Sequence, residues 1–289
     1  MVVLDKSEAV RKGEEIEPSA IEKFLKDALP GLQGGLTIRQ FPRGFSNLTY
    51  LLKIGDRELV LRRPPLGTKA ETAHDMSREF RVLNALSPVF PYCPKPLVYS
   101  DDVSLIGAPF YVMERIRGLI IRKELPRGLS FSPVSARKLC ERLIGVHCEL
   151  HSVDFKSIGL ENFGRAEGYV RRQVEGWSRR YRAAKTEDAP DCEEIMDWLG
   201  ENMPSDTEHP TLIHNDFKID NCVLDENDPT RIKAVLDWEM ATIGDPLMDL
   251  GNSLAYWVQK DDPDEVQAIR TMATHLDGAL TRQELVRLY

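Results

Sequence analysis

Little in this sequence could cross-link it or anchor it. Its five cysteines (Cys93, Cys140, Cys148, Cys192 and Cys222) form no C-x-x-C pair and are odd in number. That argues against a disulfide framework or a zinc ribbon and for a reducing, cytoplasmic setting. No apolar run reaches the roughly 18 residues of a membrane-spanning helix, and the opening MVVLDKSEAVRKGEEIEP lacks the apolar core of a signal peptide. There is no internal repeat and no low-complexity segment. Cationic excess is missing too: 38 Lys and Arg against 46 Asp and Glu leave a formal charge of −8. An acidic surface repels phosphodiester backbones, so neither nucleic acid nor a membrane is expected as a partner. What is present is 289 residues, 42% apolar and 29% charged. Such a chain can bury a sizeable core as two domains or one bilobal unit, and this excludes disorder, a collagen-like repeat and a coiled-coil rod.

Periodicity divides the chain. PSAIEKFLKDAL puts Ile21, Phe24, Leu25 and Leu29 on one helical face behind Pro18, so residues 1–35 read as a helical extension. LTIRQF, NLTYLLKIG and RELVLRR, rich in Thr, Ile, Val and Tyr and broken by PRGFS and GD, predict three antiparallel strands. HDMSREFRVLNALS carries Met76, Phe80, Leu83 and Leu86 at helical spacing, and KPLVYSDD and APFYVMERI predict two more strands. Residues 36–113 therefore form a five-stranded β lobe with one inserted helix. Beyond Arg117–Gly118 the pattern turns helical through SPVSARKLCERLIGVHCELHSV, GYVRRQVEGWSRRYRAAK and CEEIMDWLGENMP. TLIHNDF follows, then NCVLDENDPTRIKAVLDWE, two short strands around an Asn-Asp-Pro turn, and the remainder reads helical. Residues 114–118 connect the lobes and 119–289 make a larger, mostly helical one. TRQELVRLY opens with a capping-box pattern, Thr281 with Glu284, and stops after two turns, which suggests a shortened chain whose natural form adds further helices.

The chemistry concentrates in HNDFKIDN, His214 to Asn221. An Asp two residues after a His, with an Asn five further on, has the spacing of a kinase catalytic loop, H-x-D-x-x-x-x-N. A hydroxyl needs a carboxylate within hydrogen-bond reach to orient it and take its proton, and Mg²⁺ prefers hard oxygen ligands beside the transferring phosphoryl group. Asp216 is the candidate base, Asn221 the metal ligand, and Lys218 the cation that would steady the γ-phosphate. Sixteen residues on, across the expected hairpin, VLDWE carries Asp237 where a second Mg²⁺ contact belongs, the position of the Asp in the D-F-G of protein kinases.

RGFSNLTYLLKI, LVLRRPP, REFRVLNAL, PFYVMERIRG, HNDFKIDN and VLDWEMATIGDPLMDL, in this order, resemble the aminoglycoside phosphotransferase family of kinase-like enzymes. The similarity is greatest to the branch that includes the kinase-like domains fused to acyl-CoA dehydrogenases in animals, and it runs from about Leu36 to the end. It implies an α+β, two-lobed protein-kinase-like fold that uses ATP and Mg²⁺. It implies that RGFSN, with Gly44, Ser46 and Asn47, covers the ATP phosphates. Arg62 stands where the family carries a phosphate-binding lysine, with Glu79 as its ion-pair partner. Arg's planar paired donors predict a bidentate contact, and strand alternation sends Arg63 to solvent. Glu114 and Ile116 would meet the adenine edge with Met113 behind it. Asp249 would brace the catalytic loop from below, with His214 as a structural hydrogen-bonder.

Two other clusters stand out. HCELH puts His147 and His151 at i, i+4, but the Glu is out of H-E-x-x-H order and no third ligand is evident, so both histidines read as packing beneath the catalytic loop. Arg171, Arg172, Arg179, Arg180 and Arg182, interleaved with Trp177 and Tyr181, read as a solvated helix face or part of a lid over an anionic substrate. The absence of an A-P-E segment and the early GDPLMDL leave no room for a long activation loop, favouring a small-molecule hydroxyl acceptor: an amino sugar, an amino alcohol or a hydroxyacyl compound. A nucleotide-binding pseudokinase without turnover is the rival reading, on the strength of Arg62.

Overall fold

The computed structural model describes residues 6–42, 47–65 and 75–289. Its first part comprises helix α1 (Pro18–Ala28), strands β1 (Leu36–Gln40), β2 (Leu48–Ile54) and β3 (Arg57–Arg63), helix α2 (Met76–Leu86), strand β4 (Pro96–Ser100), the short helix α3 (Val103–Ile106) and strand β5 (Phe110–Glu114). The five strands form one antiparallel sheet in the order β1-β2-β3-β5-β4. Both faces of its centre are covered. On one side Val60, Tyr111 and Met113 join the core containing Met76, Val82, Leu83 and Leu86 of α2. On the other, Tyr50, Leu52, Leu59, Leu61 and Val112 pack under Ile16, Ile21, Leu25 and Leu32 of the N-terminal extension. Tyr50 Oη donates to the carbonyl of Glu14 at 2.8 Å, and Glu8 bridges Gln40 of β1. The extension is thus a third layer.

That layer corrects the expectation for Arg63. Alternation does turn it away from the Arg62 face, but it is 1% exposed. Its Nη1 donates to Ile106 O at 2.7 Å, its Nη2 to Glu14 O at 3.4 Å, and its guanidinium lies 5.6 Å from the Tyr50 ring centre. Period-2 alternation fixes opposite faces, and it says nothing of what covers each.

The second part comprises helices α4 (Pro133–His151), α5 (Tyr169–Ala184) and α6 (Glu193–Glu201), strands β6 (Thr211–Ile213), β7 (Cys222–Leu224), β8 (Ile232–Val235) and β9 (Thr242–Gly244), and helices α7 (Pro246–Ala255), α8 (Asp264–Ala268) and α9 (Arg282–Leu288). Strands β7 and β8 form the expected hairpin. Strand β9 pairs antiparallel with β6, Leu212 opposite Ile243, closing a two-stranded ribbon over some thirty residues of chain. The expectation that the remainder after the hairpin is helical is corrected in part. Between α7 and α9 only the five-residue α8 is helical. Side chains take up the backbone there: Trp257 Nε1 donates to Leu280 O, and Thr274 Oγ1 donates to Val258 O. Gly278 sits at φ 82, where a Cβ would strike Pro133. Helix α9 has both capping-box bonds, buries Leu285 and packs on α4. The connection 114–118 is pinned on both sides, because Arg115 and Arg117 both engage Glu58 of β3 at 2.5 and 2.8 Å. Leu119 exchanges backbone bonds with Leu224. Among the described residues no helix is long and apolar enough to cross a membrane.

Candidate active site

Strand β6, with Leu212 and Ile213 buried, delivers His214 to the interior. This residue is fully buried, and its Nε2 donates to Leu236 O at 3.0 Å while Nδ1 accepts the Asp216 amide at 3.2 Å. The imidazole therefore ties Asp216 to the residue preceding Asp237. Asn215 turns the chain at φ 64, a left-handed conformation that Asn tolerates better than most side chains. It is held by Tyr169 Oη donating to its Oδ1 at 2.9 Å and by its Nδ2 donating to Met240 O at 3.0 Å.

Beneath the loop, Asp249 projects from the first turn of α7, which is capped by Asp245 and opened by Pro246. Its buried carboxylate accepts four hydrogen bonds: from the amides of His214 (2.8 Å) and Asn215 (2.7 Å) and from Nε2 of His147 and His151 (3.1 Å each). Burial alone would raise the pKa of Asp249, but the two histidine bonds outweigh it and hold the carboxyl far below the ordinary range. Nδ1 of His151 pairs with Tyr289 Oη at 2.7 Å, and the His147 ring stacks on Phe217 at 4.1 Å. His147, His151 and Asp249 bring their ligand atoms within 4.8 Å, as a metal site would. The carboxylate is already saturated by hydrogen bonds, however, so the cluster is complete as a brace for the loop.

Burial lowers the pKa of His147 and His214, Asp249 opposing it in both. The unfolded chain takes up these protons near pH 6.5 and the folded one resists, so unfolding binds protons and stability falls as the pH drops below about 6.5. Melts between about pH 7.5 and 5.5 should show a slope of up to about 1.4 kcal/mol per pH unit for each histidine. His147→Gln should flatten it by one proton. Glu79, with its pKa pushed up to about 7, works against the histidines in this window, so the difference between the two profiles is the readout, and an unchanged slope in His147→Gln would contradict a neutral His147.

Asp216 itself meets two partners. Lys218 Nζ lies 3.0 Å from its Oδ1, and Asn221 Nδ2 donates to its Oδ2 and to its carbonyl, both at 2.9 Å. Burial pulls the Lys218 pKa down, but Asp220 and Asp216 push it up further, so the ammonium stays charged at neutral pH. Its Nζ also sits 4.9 Å from the Tyr256 ring centre. At the end of β8, Asp237 adopts φ 70. Its carboxylate receives Arg62 Nη2 at 2.8 Å, and the same nitrogen is 3.7 Å from Glu239 Oε2. Asn47 Nδ2 donates to that Glu239 oxygen at 2.6 Å. Burial pushes Asp237 up, but Arg62 wins and keeps it below the usual carboxylate range.

Arg62 Nη1 meets Glu79 Oε1 at 2.5 Å, with both side chains buried. The expected bidentate contact is not formed. The guanidinium fork is divided between Glu79 and Asp237, because Glu79 Oε1 also accepts the Trp238 amide at 3.2 Å and Asp237 lies within reach of the second nitrogen. Burial raises the Glu79 pKa against the pull of Arg62, and two further carboxylates add to the rise.

A family model for phosphotransferase enzymes (APH) matches residues 37–283. The chain belongs to the APH phosphotransferase family. It is 39% identical over 262 residues to acyl-CoA dehydrogenase family member 11 of Gallus gallus, covering 89% of this chain and 33% of that protein. The chain spans about a third of the length of such curated relatives. Among solved structures it is similar to one from Ralstonia eutropha described as a candidate aminoglycoside phosphotransferase (TM-score 0.78, 29% identity, 95% of this chain and 80% of that one). The ternary complex of APH(2″)-IIa with streptomycin and ATP shares the fold at TM-score 0.60 and 19% identity, covering 94% of this chain and 81% of that one.

Within this APH fold the remaining expected positions divide. Gly44 and Ser46 lie outside the described residues. Met113 is buried beside Val60. The N–H of Glu114 donates to Lys95 O at 3.0 Å and its Oε1 accepts the Lys95 amide at 2.9 Å. That amide is therefore committed to Lys95, and Ile116 is half-buried. On α5 the arginines are met locally: Arg182 forks onto Glu193, Arg180 stacks 4.1 Å from the Trp177 ring centre, and Arg171 faces Glu175. This favours the solvated-face reading. The sequence reading gave no role to Glu239, Tyr169 or Tyr256. Glu239 was visible in D-W-E, whereas the two tyrosines carry no local signal, since only the fold brings them to the loop.

Proposed function

We propose that this APH protein is an ATP- and Mg²⁺-dependent phosphotransferase that moves the γ-phosphoryl of ATP onto a hydroxyl of a small molecule. The observation that carries this reading is the pairing of two clusters through His214: Asp216 with Lys218 and Asn221 at 3.0 and 2.9 Å, and Asp237 with Arg62 at 2.8 Å, the imidazole bonding both the Asp216 amide and the carbonyl of Leu236. In it Asp216 is the base that orients the acceptor hydroxyl and takes its proton. Lys218, ion-paired to that carboxylate, is placed to meet charge on the transferring group. Residues 36–113 would hold the nucleotide, 114–118 would serve as hinge through Glu114 and Ile116, and 119–289 would supply catalysis.

The donor set suits a hard cation. Four carboxylates (Asp216, Asp237, Glu239 and Glu79) face two side-chain cations, Arg62 and Lys218, leaving a negative excess. Asn221 and Asp237 would hold Mg²⁺, which when bound neutralises β- and γ-phosphate charge. The free thiols of all five cysteines support a reducing, cytoplasmic setting. For the acceptor, relatives named as acyl-CoA dehydrogenases support a hydroxyacyl compound, and the streptomycin complex supports an amino sugar.

Two measurements test the proposal. Calorimetry should show Mg²⁺-dependent ATP binding, weakened at least about tenfold by Asp237→Ala, a change of about 1.4 kcal/mol. A surviving Mg²⁺ response in that variant would move the metal elsewhere. ATP consumption should then rise with one class in a panel of amino sugars, amino alcohols and hydroxyacyl-CoAs. The contact of Arg62 with Asp237 favours one other reading, a pseudokinase whose arginine holds the metal ligand. Nucleotide binding without consumption for any acceptor would support it.

A further inference from the structure

Helix α2 carries Glu79, and its neighbours fasten that helix to the large lobe. Arg78 reaches across to donate from Nη2 to Ala241 O at 3.0 Å, beside β9. Its guanidinium lies 4.0 Å from the centre of the Phe163 ring, and that of Arg81 is 5.8 Å from the same ring. Phe163 is 2% exposed. The next residue, Gly164, approaches β9 so closely that a Cβ would strike Thr242 and Ile243. The ring is therefore fixed to the large lobe and presents its face to both cations, a geometry that attracts them most where water is excluded. On the opposite side of α2, Phe80 packs against Tyr99 and Tyr111 of the sheet.

We infer that Arg78 and Phe163 are positioning residues that bolt α2 to the large lobe and so hold Glu79 on Arg62 and on the Trp238 amide. The inference rests on reading the cleft as a nucleotide site, and one of its two readouts is independent of that reading.

The experiment compares Arg78→Ala, Arg78→Lys and Phe163→Leu with the wild type. The first readout is hydrogen exchange at the Trp238 amide, which should quicken about tenfold in Arg78→Ala and in Phe163→Leu. It should quicken less in Arg78→Lys, where a cation still faces the ring. The second is calorimetric MgATP affinity, expected to fall about tenfold in Arg78→Ala and to fall no further when the substitution is added to Arg62→Ala, as required if Arg78 acts through the Arg62–Glu79 pair. A general loss of stability would instead add to the effect of Arg62→Ala. Unchanged Trp238 exchange, or additive losses of affinity, would overturn the inference. If Arg78→Ala does not fold, Arg78→Lys and Phe163→Leu carry both readouts. If the wild type binds no MgATP, the proposed function falls and the Trp238 exchange alone decides the positioning role.

Discussion

Asp216→Asn should lower the turnover of phosphoryl transfer by roughly 10²–10⁴-fold, the usual contribution of a positioned general base. MgATP affinity should stay within about twofold, because in the proposed reading this carboxylate serves the acceptor and not the nucleotide. The side chain keeps its shape, and an amide oxygen can still accept from Asn221, which lies 2.9 Å away. What is lost is the proton acceptor and the charge facing Lys218 at 3.0 Å. The Arg62–Asp237 contact has no bond to Asp216 and should persist. Steady-state kinetics with the acceptor found in the screen, alongside calorimetry, separates the two effects. A variant that keeps most of its turnover would reject Asp216 as the base.

Arg63→Ala should cost about 3–5 kcal/mol of stability, the range for a large buried side chain cut back to Ala. The Ile106 carbonyl would lose its donor, and a buried acceptor left unpaired costs about 1–3 kcal/mol, whereas the Glu14 carbonyl keeps the Tyr50 hydroxyl at 2.8 Å. The face of Tyr50 would lose its cation. Against a typical total of about 5–15 kcal/mol, this is a large fraction, and the melting temperature should fall by roughly 10 °C. MgATP affinity of the protein that remains folded should be near that of the wild type, since Arg63 lies on the sheet face away from Arg62. Arg62→Ala should weaken nucleotide binding, and because it strips the buried Glu79 of its cation it should cost stability as well. A melting temperature for Arg63→Ala within about 2 °C of the wild type would mean that the extension does not seal this face.

Much of this site could be read without coordinates because its chemistry is local in the chain. His214, Asp216, Lys218 and Asn221 lie within eight residues, and the geometry that relates them is a single turn ending in a short hairpin. Asp237 follows at the far strand of that hairpin. The strands of the small sheet were equally legible, since each is a five- to seven-residue segment with an apolar centre or alternation, bounded by turn residues. Strand β9 was not: three residues with no period pair with β6 some thirty positions earlier, and only long-range packing selects that partner.

The sequence alone determined the order of elements, the catalytic-loop spacing and the opposite facing of Arg62 and Arg63, because helical and strand periodicity and a hairpin's reach are properties of neighbouring residues. Tertiary structure decided what those facings mean. Arg63 is buried because residues 6–35 fold back over the sheet, Arg62 divides its fork because the Asp237 loop arrives beside Glu79, and Asp249 braces the loop because α4 brings two histidines to it. Each of these rests on groups brought together from distant parts of the chain, and burial and hydrogen-bond satisfaction are settled only once those parts have packed.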